Sequence, residues 1–245
     1  MKQIAQALNM VVSEYNRRIT RGANTTLQQV GNHLSALHGK LLRPSLVLLT
    51  AATANGGATA TRRTLLLATA VEMLHNASLL HDDVIDNTFE RRHQPSANAM
   101  WGNRAAILTG DYHLAQIMQI MDEVDDRDAT RRLTDTVLAM TTAELLQLET
   151  SDVSKADIET YRNITCGKTA RLMATCCAFG NPAFEQFGLH YGMAFQLRDD
   201  LDDNEDTPHT ATMLKEEVSL ALTELDRKEN NVYVQELRSM TNKLL

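Results

Sequence analysis

The sequence predicts an all-α protein, and three observations carry that prediction. Only four prolines and 11 glycines punctuate its 245 residues, and the stretches between them are rich in Ala, Leu, Met, Glu, Gln and Arg, all good helix formers. Alternating Val/Ile/Thr runs bounded by turn pairs, the mark of strands, are absent. Several stretches, "TLLLATAVEMLHNASLL" above all, are apolar around most of a helix circumference, which places them in the middle of a bundle.

The predicted helices cover about 2–19, 25–37, 43–55, 61–87, 96–122, 128–149, 155–179, 182–204, 209–227 and 230–244. The first, "MKQIAQALNMVVSEYNRR", mixes polar and apolar residues at helical spacing, so it is not a signal peptide. "GKLLRPS" separates the second from the third, with Pro44 near the helix start, and "ANGGA" separates the third from the fourth. "HQPSAN" opens the fifth, with Ser96 as N-cap, and "DDRDAT" opens the sixth. "FGNP" ends the seventh and puts Pro182 in the first turn of the eighth; "NEDTPHT" ends the eighth. There is no solenoid-period repeat and no low-complexity linker, so a single domain over residues 1–245 is expected.

The bulk composition excludes several classes. A net charge of −7 argues against a nucleic-acid surface. An anionic substrate would therefore need local basic groups or metal cations. Cys166, Cys176 and Cys177 are too few and too irregular for a disulfide scaffold, and fit a reducing cytoplasm. No run approaches the roughly 20 apolar residues of a membrane span.

The chemistry concentrates in two acidic clusters. "LLHDDVIDNTFERR" carries Asp82, Asp83 and Asp86, and "FQLRDDLDDNED" repeats the spacing with Asp199, Asp200 and Asp203. On a helix, i/i+4 and i+1/i+4 pairs lie about a turn apart on one face. Clustered carboxylates repel one another and become favourable around a divalent cation; hard oxygen ligands suit Mg²⁺, which shares its other positions with substrate phosphates. Two such helices facing each other across a bundle can hold a small metal cluster. Arg91 and Arg92 follow the first cluster and can fork onto phosphate oxygens. "GKLLRPS" supplies Lys40 and Arg43, and "CGKTAR" supplies Lys168, Thr169 and Arg171. Gly39-Lys40 is no Walker loop, because no GxxxxGK[ST] is present. His75 and His81 are six apart, so they do not share a face as a zinc pair would.

Taken in order, "GKLLRP", "LHNASLLHDDVIDNTFERR", "AILTGDYHLAQ", "ELLQLE", "GKTARL" and "FQLRDDLDD" resemble the trans-polyprenyl diphosphate synthases, the head-to-tail isoprenyl chain elongators. The resemblance implies a helical bundle of the isoprenoid synthase type, with two facing aspartate-rich helices around a central apolar cavity. It implies that Asp82, Asp83 and Asp86 bind Mg²⁺ on an allylic diphosphate, farnesyl or geranyl. Asp199, Asp200 and Asp203 would bind the remaining Mg²⁺, three ions in all. Lys40, Arg43 and His75 would hold isopentenyl diphosphate; Arg91 would touch the allylic diphosphate and Arg92 the isopentenyl one. Lys168, Thr169 and Gln196 would flank the reacting carbon and its leaving group. Ala77 and Ser78, five and four residues before Asp82, are small, which favours a medium or long product. A homodimer joined through the fifth and sixth helices is also implied.

The sequence departs from the family pattern after the second motif. "DDLDDNEDTPHTATMLKEE" passes almost directly to the last helices, without the further lysine loop, as if shortened near residues 206–210. His38 and His93 stand where the family usually has glycine. Three readings stay open: a shortened active enzyme, a chain from which a segment is missing, and an inactive or regulatory subunit of a two-component synthase. The intact acids weigh against the last. A class I terpene cyclase is the nearest enzyme alternative, but the second DDxxD argues against it. A helical nucleotide pyrophosphohydrolase would show ExxE pairs instead.

Overall fold

The structure, a computed structural model, describes residues 2–20, 25–36, 39–54, 61–91, 93–150, 153, 156–203 and 209–245. It is helical almost throughout, as the composition demands. The expected shortening near 206–210 falls largely on residues outside those described. Among the described residues no helix is long and apolar enough to cross a membrane. The packing divides the chain into two compact units.

The first unit holds residues 1–45 and 60–126. Its helices are α1 (Lys2–Ile19), α2 (Thr25–Ala36), the start of α3 (Leu42–Ala54), α4 (Arg62–Ile85), α5 (Ala97–Trp101) and α6 (Asn103–Val124). The centre is α4, which buries a continuous run from Thr64 to Leu74 and packs against α6 and α1. A helix apolar on all sides has to be surrounded, and the sequence of α4 is of that kind. Thr61 caps it, its hydroxyl accepting from the Thr64 N–H. Arg18 of α1 is fully buried, and its charge is met by Glu14 (2.8 Å) and Glu123 (2.6 Å).

The fifth predicted helix is two, because Gly102 has φ +82°. Glycine reaches that backbone region at no steric cost. The stretch after α4 is a small antiparallel hairpin, β1 (Glu90–Arg91) with β2 (Gln94–Pro95), in the register Glu90 opposite Pro95 and Arg91 opposite Gln94. Two-residue strands carry no alternating pattern, which is why the sequence reading held no strand here. His93, where the resembling family has glycine, has φ +61°.

The second unit holds residues 46–59 and 127–245. Here α7 (Arg127–Glu149), α8 (Ile158–Thr165), α9 (Arg171–Gly180), α10 (Glu185–Asp203), α11 (Thr210–Asp226) and α12 (Val232–Asn242) pack together, with α10 against α9 and α11. Thr50 of α3 donates to Cys177 O at 3.0 Å. The seventh predicted helix is interrupted by a π-turn, Cys166–Ala170, between α8 and α9.

Candidate active site

In the first unit, the first acidic motif occupies the C-terminal end of α4. Asp86 is the C-cap, its N–H donating to Asp82 O, and Asn87 follows with φ +52°. Asparagine tolerates that left-handed conformation better than most residues, so the helix stops here. Three carboxylates at the negative pole of a helix are unfavourable without a cation. They do not share one face. Asp82 is half-buried, Asp86 is exposed, and Asp83 is buried at 4% exposure. Adjacent residues lie about a quarter-turn or more apart on a helix, which turns Asp83 into the protein.

Buried Asp83 needs compensation, and Arg91 supplies it. The Arg91 Nε and Nη2 both donate to Asp83 Oδ1, at 2.9 and 2.6 Å. The main chain is tied down beside them: Thr88 N–H and Asn98 Nδ2 donate to Asp83 O, each at 2.9 Å. Ser96 does stand at the N-cap of α5, but its hydroxyl meets Thr88 O and the Asn98 side chain. A cavity of about 30 Å³ lies beside this ion pair, lined by His33, Asn76, Leu79 and Ser96 among others. His81 docks onto α6, with Nε2 3.2 Å from Ile107 O and 3.5 Å from Asp111.

Lys40, Arg43 and His75 belong to the same unit. Lys40 is exposed just before α3, and Leu41, with φ +49°, turns the chain into that helix. Arg43 and His75 are half-buried. Ala77 is buried and Ser78 half-buried, its hydroxyl donating to His75 O at 2.9 Å. Arg92 lies outside the described residues.

In the second unit the second motif ends α10 and repeats the division of the first. Asp199 is half-buried, Asp203 is exposed, and Asp200 is buried at 8% exposure. Asp200 is held from both oxygens: Gln196 Nε2 donates to Oδ1 at 2.8 Å, and the Tyr161 hydroxyl donates to Oδ2. Thr169 Oγ1 in turn donates to Gln196 Oε1 at 2.7 Å. Burial, and then the Asp200 carboxylate, push the Tyr161 hydroxyl far above the ordinary tyrosine range, so it stays protonated. Asp202, the extra acid, pairs on the surface with Arg198.

Lys168 lies on the π-turn, where such turns are frequently functional. Its Nζ is 2.7 Å from Glu144 Oε2 and 3.1 Å from Gln147 Oε1, both on α7. The turn approaches α7 so closely that a Cβ on Gly167 would lie 2.6 Å from Ala143 Cβ and 2.9 Å from Ala139 O. Thr169, Gln196 and Asp200 thus form one hydrogen-bonded chain, and Lys168, next to Thr169 in sequence, pairs separately with α7. Glu144, Gln147 and Tyr161 are additions. "ELLQLE" carried the first two in sequence without a role; Tyr161 sits seven residues before Lys168 with no local signal.

The donor set suits Mg²⁺. The acids offer hard carboxylate oxygens at two helix ends that need positive charge. Among the described residues no three His, Cys, Asp or Glu side chains are grouped to hold an ion by themselves. A metal here would therefore share its coordination with substrate oxygens, the usual habit of Mg²⁺.

The polyprenyl synthetase family model matches residues 24–216. Heptaprenyl diphosphate synthase component 2 of Bacillus subtilis is 32% identical over 203 residues, covering 79% of this chain and 58% of that protein. Octaprenyl diphosphate synthase of Escherichia coli is 32% identical over 205 residues, covering 77% and 61%. The chain thus spans about three fifths of the length of the curated relatives it matches. The crystal structure of a decaprenyl diphosphate synthase from Rhodobacter capsulatus shares the fold, with TM-score 0.87 and 22% identity over 99% of this chain and 96% of that one. A Caulobacter crescentus polyprenyl synthase, crystallised with calcium and isoprenyl diphosphate, also shares it, with TM-score 0.81 and 23% identity over 99% and 96%. With the match covering most of its length and both acidic motifs inside it, this chain belongs to the polyprenyl synthetase family.

Proposed function

We propose that the protein is a prenyltransferase that condenses isopentenyl diphosphate with an allylic diphosphate, farnesyl or geranyl. The product would be a medium or long all-trans polyprenyl diphosphate. The observation that carries this is the doubled acidic motif. Each copy ends a helix, and each has one buried, hydrogen-bonded acid flanked by more accessible ones. Asp82 and Asp86, with Asp199 and Asp203, would hold Mg²⁺, three ions with substrate bound. Asp83 and Asp200, at the remaining motif positions, would orient them. Bound Mg²⁺ would supply charge stabilisation for the departing diphosphate.

The chain's own residues do the rest. Lys40, Arg43, His75 and Arg92 bind and orient the isopentenyl diphosphate, and Arg91 serves the allylic one while it anchors Asp83. Lys168 stabilises charge on the leaving group, held for that task by Glu144 and Gln147. Thr169 and Gln196 flank the carbon that becomes cationic. Apolar helices exclude water, which would otherwise quench that cation. The proton lost after bond formation goes to the departing diphosphate. Small Ala77 and Ser78, below the first motif, leave room for a growing chain.

The test is turnover by the purified chain with Mg²⁺, isopentenyl diphosphate and farnesyl diphosphate, with the product length measured. Products beyond fifteen carbons, lost with EDTA and shortened by Ser78→Phe, are expected. No product from any allylic primer with a folded chain would overturn the reading. It would favour the second one, a subunit of a two-component synthase, for which the Bacillus subtilis relative, itself one component, is the precedent.

A homodimer is part of the proposal. Leu108 and Met118 of α6 and Leu138, Leu145 and Leu148 of α7 are all exposed, and a second copy would cover them. Sedimentation should give a dimer that Leu145→Glu dissociates; a monomer at micromolar concentration would count against it. The cytoplasm is the proposed compartment, since Cys166, Cys176 and Cys177 are all free thiols.

A further inference from the structure

The strands of the β1–β2 hairpin are two residues each. A ribbon that short is marginal by itself in water, so its position depends on what ties it from outside. At its base the ties run to the first acidic motif, where Thr88 N–H and Asn98 Nδ2 donate to Asp83 O. On the β2 side a tie comes from α2: His33 Nε2 lies 2.9 Å from Pro95 O. A carbonyl only accepts, so Nε2 carries the hydrogen, and both the neutral ring and the imidazolium can donate it.

The helix behind His33 is firmly seated. Val30 of α2 is fully buried with Leu80, Ala97 and Ala106, and Leu34 packs against the same cluster. A Cβ on Gly31 would lie 2.9 Å from Ile19 Cδ1, so α2 also lies close against α1. The His33 ring meets Trp101 edge-on, with centroids 5.4 Å apart. His33 therefore joins a packed helix to the hairpin that carries Arg91, which stands opposite Gln94, the neighbour of Pro95. Arg91 gives Nε and Nη2 to Asp83 Oδ1, and Nη1 is a further donor on the same fork.

We propose that His33 is a positioning residue: by clamping Pro95 to α2 it holds the β1–β2 hairpin where the Arg91 guanidinium meets Asp83 and the allylic diphosphate at once. The inference rests on the prenyl-transfer reading, which assigns Arg91 to that diphosphate. Without the clamp the hairpin pivots on its ties to Asp83 O, and Arg91 keeps its buried partner while losing the diphosphate.

The test separates the ring from its donor. His33→Phe keeps a ring beside Trp101 and loses the hydrogen. His33→Gln puts an amide N–H at about the reach of Nε2 and loses the ring. With Mg²⁺ present, the calorimetric Kd of farnesyl thiolodiphosphate should rise about fivefold in His33→Phe, the worth of one hydrogen bond, and stay within about twofold of the parent in His33→Gln. The KM for farnesyl diphosphate should follow the Kd, with kcat little changed. Added to Arg91→Lys, which keeps a charge beside Asp83 and loses the fork, His33→Phe should shift the Kd by less than about twofold. Equal weakening by both His33 variants, no weakening by His33→Phe, or the full loss on top of Arg91→Lys overturns the assignment. A His33→Phe chain that does not fold overturns it as well, because His33 would then serve the fold alone. Hydrogen exchange at the Ser96 N–H, which bonds Phe89 O across the base of the hairpin, should quicken in His33→Phe. Quickened exchange, in a protein whose parent binds no thiolodiphosphate and makes no product, would overturn the prenyl-transfer reading and the assignment to the diphosphate with it, and leave the clamp itself in place.

Discussion

Asp82→Ala should lower turnover roughly a thousandfold while leaving the urea midpoint close to that of the parent. Arg91→Ala should cost about 3 kcal/mol of stability, whatever it does to turnover. The two outcomes follow from where each charge sits. Asp82 is half-buried at the negative end of α4, where removing an acid relieves a poor interaction with the helix dipole. Its cost is therefore felt in the chemistry, where a metal ligand is lost. Among the described residues Arg91 is the one charged partner of Asp83, which keeps 4% of its surface exposed. Removing it strands a buried carboxylate. Asp83→Ala should be milder, about 1–2 kcal/mol, because the Arg91 it leaves behind is a third exposed and can turn to water. Equilibrium urea unfolding of the three variants, alongside steady-state rates, checks the order. An Asp82→Ala enzyme with near-parental turnover would remove the first motif from the metal site. An Arg91→Ala protein of unchanged midpoint would show that the ion pair does not matter to the fold.

Most of the helical architecture was legible because helices are local. The expected 2–19 is α1 to the residue, and 209–227 differs from α11 by one residue at each end. The errors all come from tertiary contacts or single backbone angles. Gly102 was visible in "MWGNR", but nothing there showed that its φ would be +82° and divide a helix. The π-turn at Cys166–Ala170 accompanies the close seat of Gly167 on α7, a contact with residues about two dozen positions earlier. For the site, residue types and spacing gave the acids, Lys168 and Thr169, while Gln196 came from the family resemblance alone. They could not give the division within each motif. Period counting puts Asp83 with Asp86 and Asp200 with Asp203 about equally well as their neighbours, and only burial decides. The partners that settle burial, Arg91, Asn98 and Tyr161, carry no periodic signal: Arg91 lies on a strand of two residues, and Tyr161 is an ordinary apolar position of an amphipathic helix.

Stability should fall by about 3 kcal/mol between pH 7 and pH 4 on account of one residue, His113. The ring is fully buried in α6. Its Nδ1 donates to Thr109 O at 2.7 Å, and its Nε2 accepts from the Tyr15 hydroxyl at 2.9 Å. Burial pushes its pKa down from 6.5 to about 4, against an opposing pull from the Thr109 carbonyl and with a lesser push from His81. In the unfolded chain the same imidazole titrates near 6.5. Between those two values the unfolded state binds a proton that the native state refuses, so stability rises with pH. The contribution is complete above pH 6.5 and is lost as pH falls to about 4. Glu14 responds in a lower window. Burial alone would raise its pKa, but hydrogen bonds from Arg17, Arg18 and Arg62 outweigh that and lower it from 4.5 to about 2, so its contribution disappears only below pH 4.5. The two windows let unfolding curves assign the loss. Urea midpoints at pH 7.5, 5.5 and 4.5 should fall by similar amounts over the two intervals in the parent protein, and so more steeply per pH unit over the lower one, and His113→Gln, which cannot titrate, should level the upper interval, where Glu14 contributes nothing. A parent curve that is level between pH 7 and 5 would show that His113 ionises normally and that its contact with Tyr15 does not hold it neutral.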